Sequence, residues 1–254
     1  MGGRNNLTDA DFATIGGGLG NRSCGEYGVV GGGCRNCNYD SKSTITGGSL
    51  NEIYQQTNGA DPVYGSTISG GYKNKICSNT GSNGKCGAGG AHTISGGYYN
   101  VVCADWGYNT ISGGYQNYTE GNFNSIAGGE SNQLLNNYGF AVGDSNTICA
   151  NTSATIGSNN TIQACSHGYA IGANNTIQSN FGGAWGCGNQ VLNTNHAYAI
   201  GCNITTVSYC TTHLNCLNLN MICCNAGVLT TASAPLGTVY YDTVGNYLSI
   251  VCGP

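Results

Sequence analysis

The chain has 254 residues, 44 of them glycine, and only 7% are charged, against about 25% in an average soluble domain. Its net charge of −4 is too small for charge-driven disorder, and all seven Lys and Arg lie at or before Lys85, which excludes the clustered cations of a nucleic-acid groove. No run of 18 apolar residues occurs, so the sequence offers no helix for membrane insertion.

Residues 1–12, MGGRNNLTDADF, read as a lead-in. They hold no apolar run that could serve as the core of a signal peptide, and Asn6 stands where myristoylation needs Ser or Thr. The expectation is a protein made and assembled in a cytosol without its own signal peptide, or part of a longer product.

Residues 13–204 form a repeat. Aligned on one apolar residue, the chain reads ATIGGGLGN, GVVGGGCRN, STITGGSLN, STISGGYKN, HTISGGYYN, NTISGGYQN and NSIAGGESN, then FAVGDSN, ATIGSNN, YAIGANN, GAWGCGN and YAIGCN. The anchors are Ile15, Val30, Ile45, Ile68, Ile94, Ile111, Ile126, Val142, Ile156, Ile171, Trp185 and Ile200, a base period near 15. An Asn follows the anchor by six residues in the first seven units (Asn21 to Asn132), by four in the next four (Asn146, Asn160, Asn175 and Asn189) and by three at Asn203. Such a unit is too short for a helix pair. Gly-Gly and Asn disfavour helix and suit turns of positive φ, while Thr-Ile and Ala-Ile favour strands. Each unit is therefore one coil of an all-β solenoid, with the anchors inside and the Asn residues in side-chain ladders; twelve coils at about 4.8 Å each give a rod of about 55 Å. One or two large apolar residues per coil make a thin interior, which predicts several chains sharing one axis.

Two anchor spacings exceed the period, 23 between Ile45 and Ile68 and 26 between Ile68 and Ile94. Extra residues leave a solenoid as loops, often on the binding face. Tyr54 and Asp61 in the first insertion and Lys85 in the second are candidate partner-binding residues, against the alternative of tolerated loop drift. Tyr72, Tyr98 and Tyr115 share one repeat position, open to two readings: packing between coils or a column for sugar rings. The chain has 15 cysteines, an odd number. Cys77 and Cys86 flank the second insertion and are the intrachain disulfide candidates, while Cys165, Cys187 and Cys202 sit on nearby coils and are candidates for linking chains. The one CxxC, Cys34 to Cys37, has no second ligand pair for zinc.

After Ile204 the period stops. Leu217, Leu219 and Met221 alternate as in a strand, and residues 238–242 and 247–251 read as a hairpin around Val244-Gly245-Asn246, so residues 205–254 are assigned as a C-terminal β cap.

No catalytic, cofactor or metal residues are predicted. GGGLGN at 16–21 lacks the third glycine of a dinucleotide loop, GSNGKC at 81–86 lacks the P-loop register, no nucleophile elbow or paired carboxylates occur, and the four histidines share no spacing. Seven Asn-x-Ser/Thr sequons occur, at Asn6, Asn21, Asn117, Asn151, Asn159, Asn174 and Asn203, most of them a by-product of the repeat.

STISGGYKN, NTISGGYQN and ATIGSNNTIQACSHGYAIGANNTI resemble the head repeat of trimeric autotransporter adhesins, and similar repeats occur in phage and virus fibres; the likeness covers residues 13–204. It implies a parallel homotrimer of left-handed β-rolls with a structural and adhesive role and no chemistry. Those adhesins add a signal peptide, a coiled-coil stalk and a membrane barrel, whereas the expectation here is the head alone. The expectation is therefore a non-enzymatic fibre or spike on a virion surface or extracellular appendage, partnered by itself, by other capsid or fibre proteins, and by a host glycan or receptor. The alternatives are a bacterial adhesin head and an ice- or solute-binding solenoid, the latter weakened because Thr precedes the anchor in several coils and follows the Asn in others, so that no single Thr-x-Thr face is expected to persist. A left-handed β-helix acyltransferase is disfavoured by the 14–15-residue period.

Overall fold

The structure is a computed structural model that describes residues 2–54, 65–77, 90–104, 107–163, 166–192, 195–206 and 209–214, and the strands Val239–Asp242 and Tyr247–Ile250. It divides into two units, Met1–Asn215 and Cys216–Pro254.

The first unit is an all-β parallel solenoid of about twelve turns, with no helix among the described residues. Each turn contributes one strand to each of two sheets of 13 strands. The front sheet runs from Thr14–Ile15 to Thr212–Leu214 and the back sheet from Leu7–Thr8 to Thr205–Thr206. Every strand pairs in parallel with its counterpart one turn away, so Ile68, Ile94, Ile111 and Ile126 stand in one column. Ladder pairing already begins at Arg4 with Leu19 and continues to Ile200 with Leu214, past residues 13–204 on both sides.

Two inward columns make the core. Ile53, Ile76, Val102, Leu134, Ile148, Ile162, Ile177 and Val191 are buried from the back sheet, and Ile15, Val30, Ile45, Ile68, Ile94, Ile111 and Ile126 from the front sheet, each at most 2% exposed. Beyond Ile126 the anchors predicted from the repeat are corrected. Ile156, Ile171 and Trp185 are 45%, 43% and 38% exposed, Val142 and Ile200 are also not buried, and the buried residues of those turns are Ala141, Thr155, Ala170, Ala184 and Ala199. The cause is one residue lost from the Gly-Gly bend: Ile126 pairs with Ala141, but Gly128 pairs with Val142. With the bend shortened, a continuous strand such as Phe140–Asp144 replaces a two-residue strand. Side chains alternate along a strand, so aligning on the largest residue selected the face pointing away from the core.

The Asn ladder is complete from Asn21 to Asn189, with every member fully buried. The backbone N–H of Asn36 donates to Asn21 Oδ1 at 3.0 Å, and Asn36 Nδ2 donates to the carbonyls of Gly32 at 2.9 Å and Gly48 at 3.0 Å. One amide thus closes its own turn and joins two neighbours, satisfying polar groups whose burial alone would cost about 1–3 kcal/mol each. The residue before each Asn lies in the left-handed region, as at Lys73 (φ 53°) and Gln116 (φ 54°). Asn203 is a second correction: it occupies that left-handed position (φ 57°), and Ile204 takes the ladder site, its N–H donating to Asn189 Oδ1 at 3.1 Å.

A mixed ladder lines the opposite corner. The N–H of Ser66 donates to Ser43 Oγ at 2.9 Å, that of His92 to Ser66 Oγ at 3.1 Å, that of Asn109 to His92 Nδ1 at 3.2 Å, and that of Asn124 to Asn109 Oδ1 at 2.7 Å. Ser43 Oγ also donates to the buried Asp40 carboxylate. Burial pushes Asp40 up to about 6 and His92 down to about 4. The raised Asp40 stabilises the fold at low pH, and that contribution is lost as pH rises from 3.8 through 6; the depressed His92 contributes stability that is lost as pH falls from 6.5 through 4. The two slopes oppose each other, so urea midpoints of the native chain stay nearly level between pH 4 and 6. Asp40→Asn makes stability rise with pH over that window and His92→Gln makes it fall, each by up to about 3 kcal/mol for two pKa units. Parallel slopes in the two variants would contradict this.

In the second unit, Val239–Asp242 and Tyr247–Ile250 pair antiparallel with Asp242 opposite Tyr247. The strand expected at Leu217, Leu219 and Met221 lies outside the described residues.

Candidate assembly and attachment surfaces

The register shift moves apolar residues from inside to outside. On the front sheet of the later turns, Val142, Ile156, Ile171, Trp185, Ile200 and Leu214 form one outward column, paired residue to residue. Phe140, Tyr169 and Tyr198 lie two residues earlier on the same outward face. Behind this face the buried front-sheet residues are Ala141, Thr155, Ala170, Ala184 and Ala199, so the front column of these turns holds no large aliphatic residue. Exposed, contiguous apolar surface of this kind marks an interaction site in a folded protein.

A shallow, open groove runs beside the column. Its floor is Gly114, Gly129, Gly143, Gly157, Gly172 and Gly186, its wall runs from Tyr115 and Glu130 to Cys187 and Cys202, and its volume is about 1110 Å³. The floor has to be glycine. Gly157 has φ +123°, and a Cβ there would come within 1.9 Å of the Gly172 carbonyl oxygen. From Val142 to Trp185 the outward apolar residue directly precedes a floor glycine, as in Ile156-Gly157 and Trp185-Gly186. A ridge and a groove of equal period therefore lie side by side.

Earlier turns present a polar front face. Thr44, Thr67, Thr93 and Thr110 form one outward column, with Thr46, Ser69, Ser95 and Ser112 two residues on. Tyr72, Tyr98 and Tyr115 pair in one column, as their shared repeat position predicted. The rings of Tyr72 and Tyr98 lie 5.5 Å apart, Tyr99 meets Tyr72 edge-on at 5.8 Å, and Lys73 Nζ reaches the Tyr99 hydroxyl at 3.1 Å. Tyr98 and Tyr115 remain 55% and 41% exposed, so the column packs between turns and also faces outward.

The aromatic corner is a feature the repeat alignment missed. Phe12 stacks on Tyr27 at 4.7 Å, Phe123 on Tyr138 at 5.1 Å, and Phe181 on His167 at 4.7 Å and on His196 at 4.9 Å, each from a left-handed backbone position. Such a conformation costs a bulky residue about 1–2 kcal/mol, and ring stacking along the axis offsets it.

Among the partner-binding candidates, Tyr54 ends the strand Glu52–Tyr54, 39% exposed and edge-on to Tyr39 at 5.7 Å. Asp61, Lys85, Cys86 and Cys165 lie outside the described residues. Cys77 instead faces Cys103 on the next turn, and Cys187 and Cys202 are register partners. Of the sequons, Asn21 and Asn117 are spent in the buried ladder, while Asn151, Asn159, Asn174 and Asn203 are exposed. No group of three or more His, Cys, Asp or Glu able to hold a metal occurs among the described residues.

These surfaces define a parallel β-solenoid with one apolar and one polar stretch of the same face. No family model and no curated protein matches the chain.

Proposed function

We propose that the chain is a non-enzymatic fibre or spike module: a parallel, in-register homotrimer of left-handed rolls, carried on a virion surface or extracellular appendage and attaching it to a host glycan or receptor. The observation that carries the reading is the apolar ridge beside a glycine-floored groove of the same period. Rotation about an axis parallel to the rod brings the ridge of one chain into the groove of the next, a heterologous contact that closes into a ring. The number three comes from the resemblance to adhesin heads. Burying the ridge restores the second apolar layer that the later turns lack.

In this reading the insertions near 52–64 and 77–90, with Tyr54, Asp61 and Lys85, provide the contacts to the partner. Shortening both to the plain repeat spacing leaves assembly intact and abolishes attachment to the protein's natural surface. Unchanged attachment of the trimmed protein would refute this role. A second reading has an observation of its own: the Thr-Ile-Thr/Ser face from Thr44 to Ser112 is regular over four turns, as in an ice- or solute-binding solenoid. Thermal hysteresis in the native protein would favour it over the fibre.

A further inference from the structure

Cys77 and Cys103 are the last residues of the strands Lys75–Cys77 and Val101–Cys103, which pair in parallel with these two residues opposite each other. Their sulfurs are 3.2 Å apart and both side chains are partly buried. Neighbouring strands lie about 4.8 Å apart, inside the Cα separation of about 4.4–6.8 Å that a disulfide spans, so small side-chain rotations close the gap. The column is otherwise not a cysteine column: Tyr54 precedes Cys77 and Glu120 follows Cys103. Cysteine stands on the two turns that flank the second insertion, so repetition of the motif does not account for the pair. Zinc would need further ligands, and no third candidate joins them among the described residues.

We propose that Cys77 and Cys103 are oxidised to a disulfide in the mature protein, a covalent staple between adjacent turns that closes residues 78–102 into a loop. The Cys77 thiolate attacks the sulfur–sulfur bond of a disulfide oxidant such as oxidised glutathione, releasing one glutathione thiolate and leaving a mixed disulfide. The Cys103 thiolate then attacks the Cys77 sulfur and expels the second glutathione thiolate. Two protein thiols lose two electrons and two protons, and the oxidant takes up the electrons as two thiols form. The hydrogen bond with Cys103, then burial, hold the Cys77 thiol above its ordinary range, which slows attack at neutral pH. The staple joins the turns on either side of the insertion that the proposed function uses for partner contact, so it ties those two turns together.

The full chain, treated with oxidised glutathione at about pH 8.5 to raise the thiolate fraction, denatured with an alkylating agent and digested, gives the test by peptide mass. The expected product joins the Cys77 and Cys103 peptides, lighter by two hydrogens, with neither sulfur alkylated. Cys86→Ser keeps this product, and Cys103→Ser abolishes it. Full alkylation of Cys77 and Cys103 after oxidation, or a Cys77–Cys86 peptide in its place, would overturn the proposal. Should Cys103→Ser fail to fold, the native chain and Cys86→Ser still decide.

Discussion

Ile111→Asp is expected to leave no folded protein. Ile111 is fully buried in the middle of the front column, with Ile94 on one turn and Ile126 on the other. Truncating such a side chain costs about 2–5 kcal/mol, and a carboxylate placed there has no Lys or Arg to pair with among the buried residues. Together these losses approach the about 5–15 kcal/mol that stabilises a typical domain. The measurement is far-UV circular dichroism with sedimentation. The β signal of the native chain disappears in Ile111→Asp and persists in Ile111→Val, which costs about 1 kcal/mol. A folded Asp variant would place Ile111 outside the core.

Ile171→Asp combined with Trp185→Asp is expected to do the opposite, keeping the coil and losing the assembly. Both residues point outward from the front sheet, 43% and 38% exposed, and their inward neighbours Ala170 and Ala184 are untouched. The new carboxylates stay in water in a single chain. In a ring they would be desolvated together around one axis, and full burial of each lost side chain is worth roughly 1.5–3 kcal/mol per chain. Sedimentation at micromolar concentration therefore shows the native chain associated and the double variant dissociated, at least ~100-fold weaker in association, with circular dichroism unchanged. An unchanged oligomer would remove the ridge from the interface, and an unfolded variant would restore these residues to the core.

The contrast between these two substitutions also marks how far the sequence was legible. In the first seven units the anchor is the inward residue, preceded by Thr or Ser in all but the second, where Val29 stands before it, and position in the motif was enough to place Ile15 through Ile126 in the core and to find the Asn ladder. From Val142 on, the largest residue and the inward residue differ, because the shortened bend made a full strand whose two faces carry Ala and Ile in turn. A signal for the true register was present. The corner aromatic precedes the inward residue by three in both halves, at Phe12 and Ile15, Phe123 and Ile126, Tyr138 and Ala141, and Phe181 and Ala184. The cysteines teach the same point. Nearness along the chain suggested Cys77 with Cys86, whereas Cys77 and Cys103 each follow a ladder Asn by three residues, at Asn74 and Asn100, and therefore share a column despite 26 residues of separation.

The proposed association of these chains through the ridge and groove is tested most directly by the mass of the native protein. The chain weighs 26.0 kDa. Native mass spectrometry of the full chain at micromolar concentration is predicted to show one species of three times that mass, with no folded single chain. A stable, folded species of one chain mass under those conditions would contradict the account.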